Sequence, residues 1–283
     1  MSLPVPAEDP VPLLQVQNVA RSYQLPRSGV FSKPDILRAV DNVSFTLHAG
    51  ERLGLVGESG CGKSTLTRAI LGLEQVQAGT ITLKGAPVWS GRQPNRAVRR
   101  NIQVVFQDPY GSFNPRHTVA RLITEPYHLL DQPPDAQERA QAVAEALQAV
   151  GLSPKDANKY SHEFSGGQRQ RLAIARALIL RPDLIVFDEA VSALDVSVRA
   201  QILDLIADLS SHFALSYLFI SHDLSVVRCI TDRVMVMRAG IIVEDGPTDQ
   251  VLRQPRHAYT QSLLAAAPKL PALGVKAASA TET

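Results

Sequence analysis

The segment Gly57-Glu58-Ser59-Gly60-Cys61-Gly62-Lys63-Ser64-Thr65 restricts what this chain can become more than any other. It follows the short apolar run Leu53-Gly54-Leu55-Val56. It precedes Leu66, Ile70 and Leu73, spaced as on one face of a helix. Strand, glycine-rich turn and helix, in that order, are the context in which G-x-x-x-x-G-K-[S/T] acquires chemical meaning. Backbone N–H groups close around a polyphosphate only where no Cβ intrudes, which Gly57, Gly60 and Gly62 permit. The helix start adds unpaired donors and a positive dipole end. Lys63 supplies mobile charge for β- and γ-phosphates, and the Ser64 hydroxyl is a ligand for Mg²⁺. The sequence predicts a nucleotide site here.

Charge narrows the choice of partners. Lys and Arg number 29 against 27 Asp and Glu, a net charge of +2, without the basic excess of a dedicated nucleic-acid binder. Of two cysteines, Cys61 and Cys229, one lies inside the phosphate loop, which argues for a reducing compartment rather than a disulfide. The N-terminus lacks the basic and apolar blocks of a signal peptide. No stretch approaches the ~18 apolar residues of a membrane span. A soluble, cytoplasmic chain is expected.

Residues 1–12 are proline-rich and read as a flexible N-terminus, and residues 269–283 as a disordered tail. Between them, 13–268 reads as one domain. Leu13–Val19, Ala39–Leu47 and Ala78–Gly85 predict strands, with an excursion loop over Pro26–Pro34. Ile102–Phe106 is a strand ending at Gln107-Asp108-Pro109. From about 108 to 180 the pattern turns helical. Asp135 with Glu138 predicts a capped helix start, Ala140, Val143, Leu147 and Val150 one face, and Gly151 the stop. A second helix runs from Gly166 to Pro182. Alternation of strand and helix then returns through Leu184–Phe187, Val198–Leu209, Tyr217–Ile220, Leu224–Cys229 and Val234–Met237, before a hairpin arm at Ile241–Gly246. The fold class is α/β with a helical insertion.

Leu184-Ile185-Val186-Phe187-Asp188-Glu189 is a fully apolar strand ending in two carboxylates. Such a strand belongs in the sheet centre, beside the phosphate-loop strand, where it delivers Asp188 to Mg²⁺. Glu189 is placed to orient or deprotonate an attacking water. Phe164-Ser165-Gly166-Gly167-Gln168 opens a second glycine-rich helix start suited to phosphate, which makes best sense if it serves a nucleotide on another subunit.

Together these motifs resemble the ATP-binding cassette (ABC) ATPases, from about Leu13 to Pro268. The resemblance implies a P-loop NTPase cassette with a RecA-like core, an antiparallel β subdomain and a helical insertion. It implies that Gly57–Thr65 is the Walker A loop and that Tyr23 stacks on adenine. Gln107 is then the Q-loop residue that senses Mg²⁺ and water, and Ser165, Gly166, Gly167 and Gln168 are the signature. Asp188 and Glu189 become the Walker B aspartate and catalytic base. Asp195 belongs to the D-loop, Ser192-Ala193-Leu194-Asp195, and His222 is the switch histidine. In this family two cassettes meet head to tail around ATP. The implied partners are a second ABC ATPase, alike or different, two transmembrane permease subunits and an extracytoplasmic substrate-binding protein. The implied place is the cytoplasmic face of the plasma membrane.

Val105–Arg116, Phe164–Arg171, Ser192–Gln201 and Gln254–Leu264 resemble the oligopeptide/dipeptide/nickel importer branch, and within it the second, shorter ATPase. Two departures stand out. Nothing after Cys229 could ligate the metal or iron–sulfur group of many members, and Ala190 replaces the usual proline. Peptide is the first reading for cargo, with nickel or a metal chelate second. DNA-repair and translation-associated cassettes are the rival classes. They carry coiled-coil or zinc insertions, or two cassettes in one chain.

Overall fold

Apolar strands buried on both faces need cover on both sides, and this requirement organises the architecture. The computed structural model describes residues 11–26, 34–108, 111 and 113–266. The tail and most of the predicted excursion loop and flexible N-terminus lie outside them. The opening half supplies β1 (Leu14–Gln24), β2 (Ile36–Leu47), β3 (Arg52–Val56), α1 (Lys63–Ile70), β4 (Ala78–Leu83) and β5 (Ala86–Pro87). A small hairpin of β6 (Trp89–Ser90) and β7 (Gln93–Pro94) follows, then α2 (Arg96–Asn101) and β8 (Ile102–Phe106). The helical stretch holds α3 (Val119–Ile123), α4 (Ala136–Ala149) and α5 (Gly166–Leu178). The chain then returns through β9 (Leu184–Asp188), α6 (Val196–Phe213), β10 (Ser216–Ser221), α7 (Leu224–Ile230), β11 (Arg233–Arg238) and β12 (Ile241–Pro247). It ends in α8 (Thr248–Arg253) and α9 (Ala258–Ala266).

Two main sheets result. One is antiparallel, in the order β2-β1-β4-β5; the other has six strands, β12-β11-β3-β10-β9-β8. In the larger sheet β11, β3, β10, β9 and β8 run parallel and only β12 opposes its neighbour. Alternation of side chains divides this sheet between two cores. Ile185, Phe187, Tyr217 and Phe219 point into a cluster shared with α5, α6 and α7. Leu184, Val186, Leu218 and Ile220 point the other way, against α1 and the antiparallel sheet.

One expectation about strand order fails. β9 is not beside β3, because β10 hydrogen-bonds to both and separates them. The crossover from β9 through α6 places the next parallel strand inward, next to β3, rather than outward. Two smaller expectations also fail. Leu73 lies beyond the end of α1 and is 50% exposed, because Gly72 turns the chain there at φ +64°. Ala140 is exposed, since only Val143, Ala146 and Leu147 of α4 face inward. The ends of α4 follow the sequence. Asp135 and Glu138 form a reciprocal capping box. At the other end Leu152 N–H donates to Leu147 O and Gly151 N–H to Gln148 O, both at 2.9 Å, closing a Schellman turn.

Candidate active site

Register builds the site before any side chain is considered. Ser221 of β10 pairs with Val56 of β3, Ile220 pairs with Asp188 of β9, and Asp188 pairs with Phe106 of β8. These strands therefore stop at nearly one level, at the carboxyl edge of the sheet where α/β folds collect ligands. Gly57, His222, Glu189 and Gln107 are each the first residue past that edge. A cavity of about 610 Å³ opens there, lined by Ser59, Ser64, Phe106, Gln107, Asp108, Gly111, Asp188 and Glu189.

The phosphate loop is held from behind. A Cβ at Gly57 would lie 2.3 Å from Met237 O, and one at Gly62 would lie 2.0 Å from Ala39 O. Gly62 also has φ +115°, where side chains are strained. The obstacle at both positions is the protein's own backbone, a reason that the sequence could not reveal. Lys63 is buried, its Nζ donating to Gly57 O at 2.7 Å and Glu58 O at 2.8 Å. Glu58, Ser59, Gly60 and Ser64 are exposed at the loop tip, and Cys61 is buried behind it.

The acidic side of the cleft is electrostatically uneasy. Burial pushes the Asp188 carboxyl above its usual range, and the neighbouring Glu189 pushes it further, while Lys63 and Arg68 pull it back. Glu189 takes φ +51°, unusual for a residue with a side chain, and its N–H donates to Ile220 O at 3.0 Å. His222 Nδ1 stands 3.5 Å from Glu189 Oε1. The hard oxygen donors of Ser64, Gln107 and Asp188 suit a divalent ion such as Mg²⁺, and a cation here would relieve the carboxylate crowding.

The remaining predicted residues lie elsewhere. Ser165 caps α5, its Oγ accepting from Gln168 N–H at 3.3 Å while Gln168 Oε1 accepts from Ser165 N–H at 3.0 Å. Gly166 has open space around it, whereas a Cβ at Gly167 would meet Val198 of α6 at 2.4 Å. Asp195 is the exposed residue preceding α6. Neither Ser165–Gln168 nor Asp195 lines the cleft above. Tyr23 sits opposite Leu37 on β2, its hydroxyl donating to Glu74 at 2.7 Å and one ring face covered by Arg21. Thr65 follows Ser64 in the first turn of α1.

Sequence reasoning missed Arg199. One turn after Asp195, its guanidinium donates to Asp223 at 3.1 Å and to Leu194 O at 3.3 Å, tying the D-loop to the residue after His222. Helical spacing from Asp195 was the available signal.

Fold and site together define a nucleoside triphosphatase of the phosphate-loop class. A profile of the ABC transporter family matches residues 40–192. The chain belongs to that family and is an ATP-binding ATPase. It is 47% identical over 260 residues to the dipeptide transport ATP-binding protein DppF of Haemophilus influenzae, spanning 92% of this chain and 79% of that one. It is 49% identical over 259 residues to the oligopeptide transport ATP-binding protein AppF of Bacillus subtilis, spanning 90% and 78%. Among solved structures, the ATP-binding cassette MJ0796, a dimer bound to ADP and Pi after hydrolysis, matches with TM-score 0.71. It is 26% identical, over 83% of this chain and 98% of that one. The cbiO1 protein of Clostridium perfringens shares the fold at TM-score 0.72 and 23% identity, over 86% and 91%. No helix among the described residues is long and apolar enough to cross a membrane.

Proposed function

We propose that this chain is the energy-coupling subunit of a membrane importer of di- or oligopeptides. The observation that carries this reading is the 47–49% identity, over at least 90% of the chain, to ATP-binding proteins of dipeptide and oligopeptide transport. Residues 13–268 act as one ATPase domain, with the helical part near 108–180 facing the permeases. Lys63 and the loop N–H groups hold the phosphates of ATP, and Tyr23 stacks on its adenine after releasing Glu74. Ser64, Asp188 and Gln107 hold Mg²⁺, which when bound neutralises charge on the phosphate oxygens. Glu189 accepts the proton of the attacking water, and His222 steadies Glu189 and the developing phosphate charge.

Ser165–Gln168 and Asp195 do not line their own cleft, which supports their completing the site of a second cassette placed head to tail. The rest of the assembly comprises two permease subunits and an extracytoplasmic binding protein, with this chain peripheral on the cytoplasmic side.

Uptake by cells carrying the wild-type chain or Glu189→Gln tests the cargo. Loss of labelled dipeptide uptake in the variant is the expected result. Loss of labelled nickel uptake with peptide uptake intact would replace peptide by metal.

A further inference from the structure

The C-terminal stretch Gln254–Leu264 marks a branch of the family in the sequence, yet nothing in it suggests a place near the nucleotide. The fold brings it there. Tyr259, the second residue of α9, is 6% exposed, and its hydroxyl accepts a hydrogen bond from Glu58 N–H at 3.1 Å across 201 residues. Glu58 is the second residue of the phosphate loop.

This contact reaches Lys63 through one rigid unit. The Gly57–Glu58 peptide carries both Gly57 C=O, which accepts from Lys63 Nζ at 2.7 Å, and Glu58 N–H, which donates to Tyr259. A peptide group is planar, so fixing the direction of its N–H fixes the direction of its C=O. The Lys63 charge on the carbonyl also polarises the peptide and strengthens donation from its N–H. Ammonium, peptide and phenol thus form a continuous chain.

The phenol is itself firmly held. The guanidinium of Arg238 lies 4.9 Å over its ring. Glu244 of β12 accepts from Arg256 N–H at 2.8 Å and His257 N–H at 3.1 Å, fastening the entry to α9 onto the sheet. Tyr259 N–H donates to His257 Nδ1 at 3.1 Å. The turn between β11 and β12 supports the same loop from another side, with Gly240 N–H donating to Cys61 O at 2.8 Å.

We propose that Tyr259 is a positioning residue for ATP binding. It orients the Gly57–Glu58 peptide and through it the Lys63 ammonium, which makes the C-terminal helix a working part of the nucleotide site. The proposal rests on the phosphate loop being the ATP site.

Tyr259→Phe keeps the ring and its Arg238 contact while deleting the acceptor. Measured on the full-length chain with a fluorescent ATP analogue, and as steady-state ATPase of the assembled complex, it should raise Kd and KM for ATP about 3- to 10-fold. The change in kcat should be smaller than the change in KM. Unchanged Kd and KM would overturn the proposal, as would a loss confined to the number of active sites. Lys63→Ala and the wild-type chain run alongside. Failure of the wild-type chain to bind ATP, or an undiminished affinity in Lys63→Ala, would refute the site itself rather than the role of Tyr259.

Discussion

His222 Nδ1 stands 3.5 Å from Glu189 Oε1, reaching across from the end of β10 to the end of β9. The two residues directly follow adjacent parallel strands, whose backbone pairing of Ile220 with Asp188 sets where each emerges. Glu189→Gln keeps the shape and removes the proposed base. Its kcat for ATP hydrolysis should fall about 10²- to 10⁴-fold with ATP affinity retained. Lys63→Ala should do the reverse, weakening affinity about 10-fold or more. An undiminished steady-state rate in Glu189→Gln would remove Glu189 from the base role.

Asp188 gives a prediction with a definite sign. Burial raises its folded-state pKa, so between the unfolded and folded values the native chain holds more protons than the unfolded one. Stability contributed at this position therefore falls as pH rises through that window and stays lowered above it. Asp188→Asn should raise the Tm of the ligand-free chain at pH 7, and the gain should vanish when both states are protonated, near pH 3. Thermal melts at the two pH values check this; an equal gain at both would show that charge is not the cause.

Gly62→Ala should both destabilise the chain and abolish ATP binding. The added methyl would lie 2.0 Å from Ala39 O, and neither backbone can give way cheaply. A loss of more than about 1 kcal/mol is expected from the φ requirement alone. Denaturant melts and nucleotide titration read the two effects separately.

Arg199→Met removes a charge while keeping much of the side-chain volume. Asp223 would lose its 3.1 Å partner, and the D-loop its tie to the turn carrying His222. The turnover rate should fall several-fold while ATP affinity of the isolated chain stays within about 2-fold, since Arg199 lies outside the phosphate cleft. Arg199→Lys should recover only part of the rate, because one ammonium cannot match a fork donating to both Asp223 and Leu194 O.

Legibility in the sequence followed the range of the physics. The α4 ends were readable because Asp135, Glu138 and Gly151 act within a few residues of themselves. The strand, loop and helix around Lys63 and the strand ending at Asp188 were readable because each is contiguous in the chain. Strand order was not, because whether β10 lands beside β3 or beyond β9 is decided by crossover packing that leaves no local trace. For the same reason no local pattern told that Tyr259 reaches Glu58, or that a Cβ at Gly62 would meet Ala39 O.

The insertion of β10 between β3 and β9 acts as a ruler. Phosphate loop and carboxylates stand two strand spacings apart, about 10 Å. That width is written in main-chain hydrogen bonds, which side-chain substitutions other than proline leave in place. Natural variation can therefore change what lines the gap, while its span stays the same for as long as the sheet survives.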